Sequence, residues 1–163
     1  MKRVWMACAL VALALLCAAC GVSSTTGAQS VQGTSAAAKQ PGPGGLVRDA
    51  EGLRKALQAA KVTISDGPQV TERFVTITGQ TLFVNGERVE IFEYATPEAA
   101  NAEAARIDPD ACMVTTPNGT ITLDWPDSPH FYKSGRLIVL YVGTTASMKQ
   151  LLTSMLGGEF AGK

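Results

Sequence analysis

The stretch that decides the fold runs from Thr81 to Tyr94 and reads TLFVNGERVEIFEY. Two short runs rich in β-branched and aromatic residues flank Asn85 and Gly86. Both of these residues tolerate the positive φ angles that a two-residue hairpin turn requires. The stretch therefore predicts two neighbouring antiparallel strands.

A helix is predicted directly after this hairpin. Thr96, Pro97 and Glu98 are typical of an N-cap, a first-turn proline and a first-turn acid. The alanine-rich sequence that follows favours a helix to about Ile107, and Asp108-Pro109 ends it.

The C-terminal third contains two further strand patterns and a helix pattern. Apolar residues alternate with polar ones from Thr120 to Trp125, and Leu137 to Val142 is apolar throughout, which favours a central or doubly buried strand. Gly157-Gly158 ends a helical stripe with apolar residues at three- and four-residue spacing. The stripe consists of Met148, Leu151, Leu152, Met155 and Leu156.

Upstream of the hairpin, apolar spacing predicts a helix from Asp49 to Ala60. A short strand at Val62–Ile64, closed by Asp66-Gly67-Pro68, and another at Phe74–Ile77 are predicted to follow. The order of helices and strands indicates an α+β domain. We expect an antiparallel sheet of about five to six strands with about three helices packed on one face.

The first nineteen residues differ in kind from the rest of the chain. Lys2 and Arg3 precede an uncharged apolar run from Val4 to Leu16, and small residues follow. A positive start, an apolar middle and a small-residue exit are the marks of a secretory signal peptide. The apolar run is shorter than the roughly 20 residues that a membrane-spanning helix needs.

The segment Cys17-Ala18-Ala19-Cys20-Gly21 resembles the lipobox of bacterial lipoproteins. The resemblance implies that Cys20 receives a diacylglyceryl thioether and becomes the mature N-terminus. It also implies a location on the cell membrane or the outer membrane, with the protein on the extracytoplasmic side. Two or more acyl chains hold a protein stably on a bilayer, whereas one chain holds it only marginally.

Composition divides the remainder into a tether and one domain. Residues 20–44 are rich in Ser, Thr, Gly, Ala and Gln and have no apolar periodicity, so they predict a flexible segment. Residues 45–163 have the size of one independently folding α+β domain. The predicted organisation is thus a signal peptide at 1–19, the lipidated cysteine and tether at 20–44, and a globular domain at 45–163.

Cysteine usage and charge narrow the chemistry. Of four cysteines only Cys112 lies in the predicted domain, so that domain has no internal disulfide. Without Lys2 and Arg3 the chain has 12 basic and 14 acidic side chains, a formal charge of −2. This balance does not indicate a nucleic-acid partner.

A small hydrolase or transferase that uses Cys112 or His130 is the enzymatic alternative. Cys112 and His130 could form a thiolate–imidazole pair, with Asp124 or Asp127 orienting the ring. However, a nucleophilic cysteine needs a cation or a helix N-terminus beside it, and the charged residues near Cys112 are the acids Asp108 and Asp110. The sequence favours a non-enzymatic domain in which Cys112 is a small packed side chain. His130 is the only histidine, and no metal site or cofactor motif is predicted.

The segment from Asp124 to Tyr132, DWPDSPHFY, combines two prolines, three aromatic residues and the single histidine. One interpretation is a rigid recognition loop in which Trp125, His130, Phe131 and Tyr132 contact a ligand. The other, which we favour, is an inter-strand connection whose aromatic side chains cap the core.

The run from His130 to Gly143 resembles small domains of bacterial lipoproteins and secreted proteins, and the resemblance implies no particular activity. The leading hypothesis is a lipid-anchored, non-enzymatic domain that binds an envelope protein or a small ligand. A third hypothesis is a structural subunit of an envelope complex, which would expose a large apolar patch.

Overall fold

The computed structural model describes residues 47–162. The three helices are α1 (Ala50–Ala59), α2 (Pro97–Ala104) and α3 (Ala146–Leu156). The eight strands are β1 (Ile64–Val70), β2 (Gly79–Val84), β3 (Glu87–Glu93), β4 (Met113–Thr116), β5 (Gly119–Thr122), β6 (Pro129–Ser134), β7 (Leu137–Val142) and β8 (Glu159–Gly162).

Six of the strands form one antiparallel sheet in the order β1-β2-β3-β7-β6-β8, and β4 pairs with β5 in a separate hairpin. The predicted hairpin is confirmed as β2 and β3. Asn85 and Gly86 have φ angles of 51° and 84° at its turn, as a turn matching the twist of the strands requires. The predicted α+β class, with a sheet of five to six strands and three helices, is confirmed.

Strand β7 shows why both faces of the sheet are covered. Leu137, Val139 and Tyr141 point into one apolar cluster, which includes Leu53 of α1 and Leu152 of α3. Ile138 and Leu140 point into a second cluster on the opposite face. The prediction of a strand buried on both sides is therefore confirmed.

The prediction that all three helices pack on one face is wrong for α2. Ala100 and Ala104 of α2 belong to the second cluster, together with Val114 of β4. A strand that is apolar on both sides needs cover on both sides. The short alanine-rich helix and the β4–β5 hairpin supply it on the face opposite α1 and α3.

Side-chain caps begin two of the helices, and one of them is the predicted N-cap Thr96. The Asp49 side chain accepts a hydrogen bond from Gly52 N at 2.8 Å, and that of Thr96 accepts one from Ala99 N at 3.2 Å. These contacts satisfy first-turn N–H groups that lack a partner within the helix. Helix α2 ends at Ala104, three residues before the predicted end.

Two local predictions are wrong, and one strand was not predicted. Asp66-Gly67-Pro68 does not close β1 but lies within it, at an irregularity of the pairing with β2. Residues 74–77 form turns rather than a strand, because Phe74 and Val75 are held in the second cluster by burial and not by strand pairing. Strand β8 was not predicted, since its four residues carry no alternating pattern.

The predicted signal peptide, Cys20 and the predicted tether lie outside the described residues. None of the helices within residues 47–162 combines the length and the apolar character needed to cross a membrane.

Candidate functional site

The segment between β5 and β6 is anchored by Trp125. Its indole N–H donates to the carbonyl of Ala111 at 2.6 Å. The ring also makes edge contacts with Phe74 and Phe131, at centroid distances of 5.4 and 5.8 Å. The hydrogen bond and the two aromatic contacts hold the half-buried tryptophan in one position against the second cluster.

A cleft lies between this segment and the face of strands β3 and β7, and we call it the Glu90 cleft. Its volume is about 390 Å³, which falls in the range of small-molecule sites. Glu90 and Leu140 are direct cross-strand partners on its floor. The full lining comprises Glu72, Arg88, Glu90, Leu140, Val142 and residues 124–127.

Glu90 is the most unusual residue of this cleft. Its side chain is only 10% exposed, and its Oε1 forms an ion pair with Arg88 at 2.8 Å. Its Oε2 is buried and has no hydrogen-bond partner in the described residues. Burial raises the pKa of Glu90, the Arg88 charge opposes the shift, and the charge of Glu72 adds to it.

The remaining charges at the cleft are acidic. Glu72, Asp124 and Asp127 line it, and none of them has an ion-pair partner within the described part of the chain. In residues 47–162 no three His, Cys, Asp or Glu side chains come together in a group that could hold a metal ion. The carboxylates are thus spread around the cleft and do not converge on one point.

His130 is placed in the core and not on a loop. It lies in β6 with no exposed area, stacked on Tyr141 at a centroid distance of 5.9 Å. Its Nε2 donates to the carbonyl of Gly143 at 3.0 Å, and its Nδ1 lies 2.6 Å from Glu159 Oε2. Both ring nitrogens are therefore occupied by structural contacts.

Phe131 and Tyr132 are also strand residues, 0% and 1% exposed. The recognition-loop interpretation is wrong for His130, Phe131 and Tyr132, because strand pairing with β7 and β8 carries them into the sheet. The alternative, in which the aromatic side chains cap the core, describes these three residues. Of the four candidates, Trp125 lines the Glu90 cleft.

Cys112 is half-buried and makes no hydrogen bond to His130 in the described residues. Its Sγ lies 3.5 Å from the carbonyl oxygen of Asp110. It borders a second cleft of about 440 Å³, whose lining shares Asp124, Trp125 and Asp127 with the Glu90 cleft. The structure does not bring together the pair that the enzymatic alternative requires.

Comparison with known proteins adds no likeness to this geometry. No protein-family model, curated protein or solved structure matches this chain. The chemistry of the described residues therefore has to indicate the function.

Glu90 is expected to make the stability of the fold depend on pH. Because its pKa is raised, the folded protein holds a proton more tightly than the unfolded chain does, and stability falls as pH rises from the ordinary value of 4.5 through the raised value. Glu90→Gln removes this loss. The gain in unfolding free energy of Glu90→Gln over wild type, measured by urea unfolding, should grow between pH 4 and pH 8.

Arg88, Glu72, Asp124 and Asp127 are the other charged groups at the cleft and remain in both proteins. Glu93→Gln controls for the loss of one negative charge. Glu93 lies in β3, as Glu90 does, and its carboxylate is paired with Arg136. A difference between wild type and Glu90→Gln that is flat or shrinks with rising pH would contradict the prediction.

The burial of Glu90 was not predicted, because Glu90 lies in an alternating strand pattern, Val89-Glu90-Ile91, in which the polar residue normally faces water. One signal was present. Because β7 is buried on both sides, both faces of the sheet are covered there. An acid on the neighbouring strand is then buried whichever face it lies on. The pairing of β3 with β7 was needed to use that signal.

Proposed function

We propose that this chain is a lipid-anchored envelope protein whose domain binds a small ligand in the Glu90 cleft without chemical turnover. The observation that carries the binding proposal is the buried Glu90 carboxylate in a cleft of ligand size, because one of its oxygens has no hydrogen-bond partner within the described part of the chain. Buried polar atoms in folded proteins nearly always have partners. A ligand that donates a hydrogen bond would provide one.

Fixed geometry supports a binding role for this cleft. Trp125 is held by its hydrogen bond to Ala111 and by two aromatic contacts, so little conformational freedom is lost when a ligand packs against it. Leu140 and Val142 provide apolar surface beside the carboxylates. Small-molecule sites combine apolar surface, which packs against the body of the ligand, with polar groups that fix its orientation.

The two alternatives have less support. An enzyme based on Cys112 and His130 lacks the contact between them, since both nitrogens of His130 are bonded elsewhere. A structural subunit would present a large apolar patch, yet among the large hydrophobic side chains of residues 47–162 only Met113 is exposed.

Trp125 offers a direct test of the binding role. Trp5 and Trp125 are the two tryptophans, and Trp5 lies in the segment that the proposal expects to be removed, so in the mature lipidated protein that begins at Cys20 all indole fluorescence comes from Trp125 in the cleft. We would titrate this protein, in detergent micelles, with anionic, neutral and cationic small molecules. Saturable fluorescence changes in any class, with the compound recovered unaltered, support the proposal. No saturable change in all three classes, or conversion of a compound, would overturn it.

A separate prediction tests the anchor. Cys20→Ser should abolish fatty-acid labelling and move the protein from the detergent-phase membrane fraction to the aqueous phase, because the hydroxyl cannot form the thioether. Cys17→Ser, three residues earlier, is the matched control and should stay labelled. Continued labelling of Cys20→Ser would refute the assignment of the site.

A further inference from the structure

We propose that the ligand of the Glu90 cleft is a small organic cation, a primary ammonium or guanidinium group on an apolar or aromatic body, with Glu90 as its buried anchor. This inference rests on the proposed binding function and names the class of ligand. It concerns the charge of the ligand, which the proposed function leaves open.

The charge distribution around the cleft is the first reason. Four carboxylate residues line it, and Arg88 is the single basic residue among them. Arg88 is already paired with Glu90 Oε1, so an anion entering the cleft would meet unpaired carboxylates and a cation that is engaged. A cation would meet Glu72, Asp124 and Asp127 without an ion-pair partner in the described residues.

The buried oxygen is the second and independent reason. Glu90 Oε2 has no hydrogen-bond partner among residues 47–162, and nine-tenths of the side chain is buried. A carboxylate in such surroundings is best stabilised by a donor that also carries positive charge, since charge-assisted hydrogen bonds are roughly twice as strong as neutral ones. The terminal torsion of glutamate is soft, so the carboxylate can turn Oε2 towards a ligand.

The composition of the walls selects an organic cation over a metal ion. Divalent metals need several oxygen ligands converging on one point, and the described residues form no such group. Trp125, Leu140 and Val142 instead offer apolar surface and an indole ring, the side chain to which cations bind best.

Three probes of matched size test the inference on the mature lipidated protein: benzylammonium, benzyl alcohol and benzoate. We expect benzylammonium to bind roughly tenfold or more tightly than the other two, by calorimetry and by Trp125 fluorescence. Glu90→Gln should reduce benzylammonium affinity by roughly tenfold or more, while Glu93→Gln, outside the cleft, should leave it unchanged. Millimolar Mg²⁺ and Ca²⁺ should bind more weakly than benzylammonium.

Circular dichroism and urea unfolding of Glu90→Gln establish that the variant is folded, and its isosteric side chain preserves the floor of the cleft. Equal affinity for the three probes, preference for benzoate, tighter binding of a metal ion, or full affinity in folded Glu90→Gln would each overturn the inference. Binding of benzyl alcohol or benzoate without preference for benzylammonium would sink the ligand class and leave the binding function standing. If no compound in the wider titration binds, both the ligand class and the binding function are refuted.

Discussion

Phe131→Ala is expected to lower the free energy of unfolding by about 3–5 kcal/mol, because it removes a large ring from the centre of the second cluster. Phe131 has no exposed area. Its ring centroid lies 5.9 Å from Phe74, 5.8 Å from Trp125 and 6.0 Å from Phe160. Small domains are stable by only about 5–15 kcal/mol in total, so much of the fold's margin depends on this side chain.

Urea unfolding followed by far-ultraviolet circular dichroism measures this loss. Phe83→Ala is the matched control, because Phe83 lies in β2 of the same sheet and is only half-buried. Its loss of stability should be clearly smaller. An equal or smaller loss for Phe131→Ala would contradict the central position of its ring. Since Phe131 contacts Trp125, the variant should also loosen the wall of the Glu90 cleft and weaken benzylammonium binding.

Much of the fold was predictable because local signals and tertiary packing agree. The Asn85-Gly86 turn fixes its hairpin by backbone conformation alone. The apolar run at Leu137–Val142 predicts that the strand is buried on both faces, although it does not indicate which elements pack on each face. In these places a few neighbouring residues contain the whole physical reason for the structure.

Predictions failed where the reason lies in distant residues. Phe74 and Val75 look like strand residues by composition, yet burial against the second cluster holds them in turns. Strand β8 depends on pairing with β6, and a four-residue edge strand has too few positions to show a period. The aromatic residues after Pro129 lie in β6 because they pair with residues of β7, and their own sequence does not show this pairing.

The candidate site was predictable only in part. Trp125 was found because prolines and aromatic residues together are unusual, and Asp124 and Asp127 because acids next to a histidine suggest a catalytic group. Glu90 and Glu72 reach the same cleft from β3 and from the connection after β1. The spacing of residues in a single sequence cannot reveal a site whose lining extends from Glu72 to Val142, because the pairing of distant strands brings its residues together.

His130→Ala is expected to cost about 2–4 kcal/mol of unfolding free energy, whereas Cys112→Ala should cost about 0.5 kcal/mol or less. The difference follows from burial. His130 fills space that is 0% exposed and donates to the carbonyl of Gly143, which loses its partner in the variant. Loss of the Glu159 contact adds little, because the Glu159 side chain is 44% exposed and can return to water.

His130→Phe separates the two parts of the cost, since a phenyl ring can still stack on Tyr141 but cannot donate to Gly143. We expect it to unfold at a urea concentration between those of wild type and His130→Ala. The same three variants decide between a structural and a catalytic role. If His130 is structural, His130→Phe and Cys112→Ala proteins that remain folded should bind benzylammonium as the wild type does. Complete loss of the cellular phenotype in a folded Cys112→Ala or His130→Phe protein would instead support the enzymatic alternative.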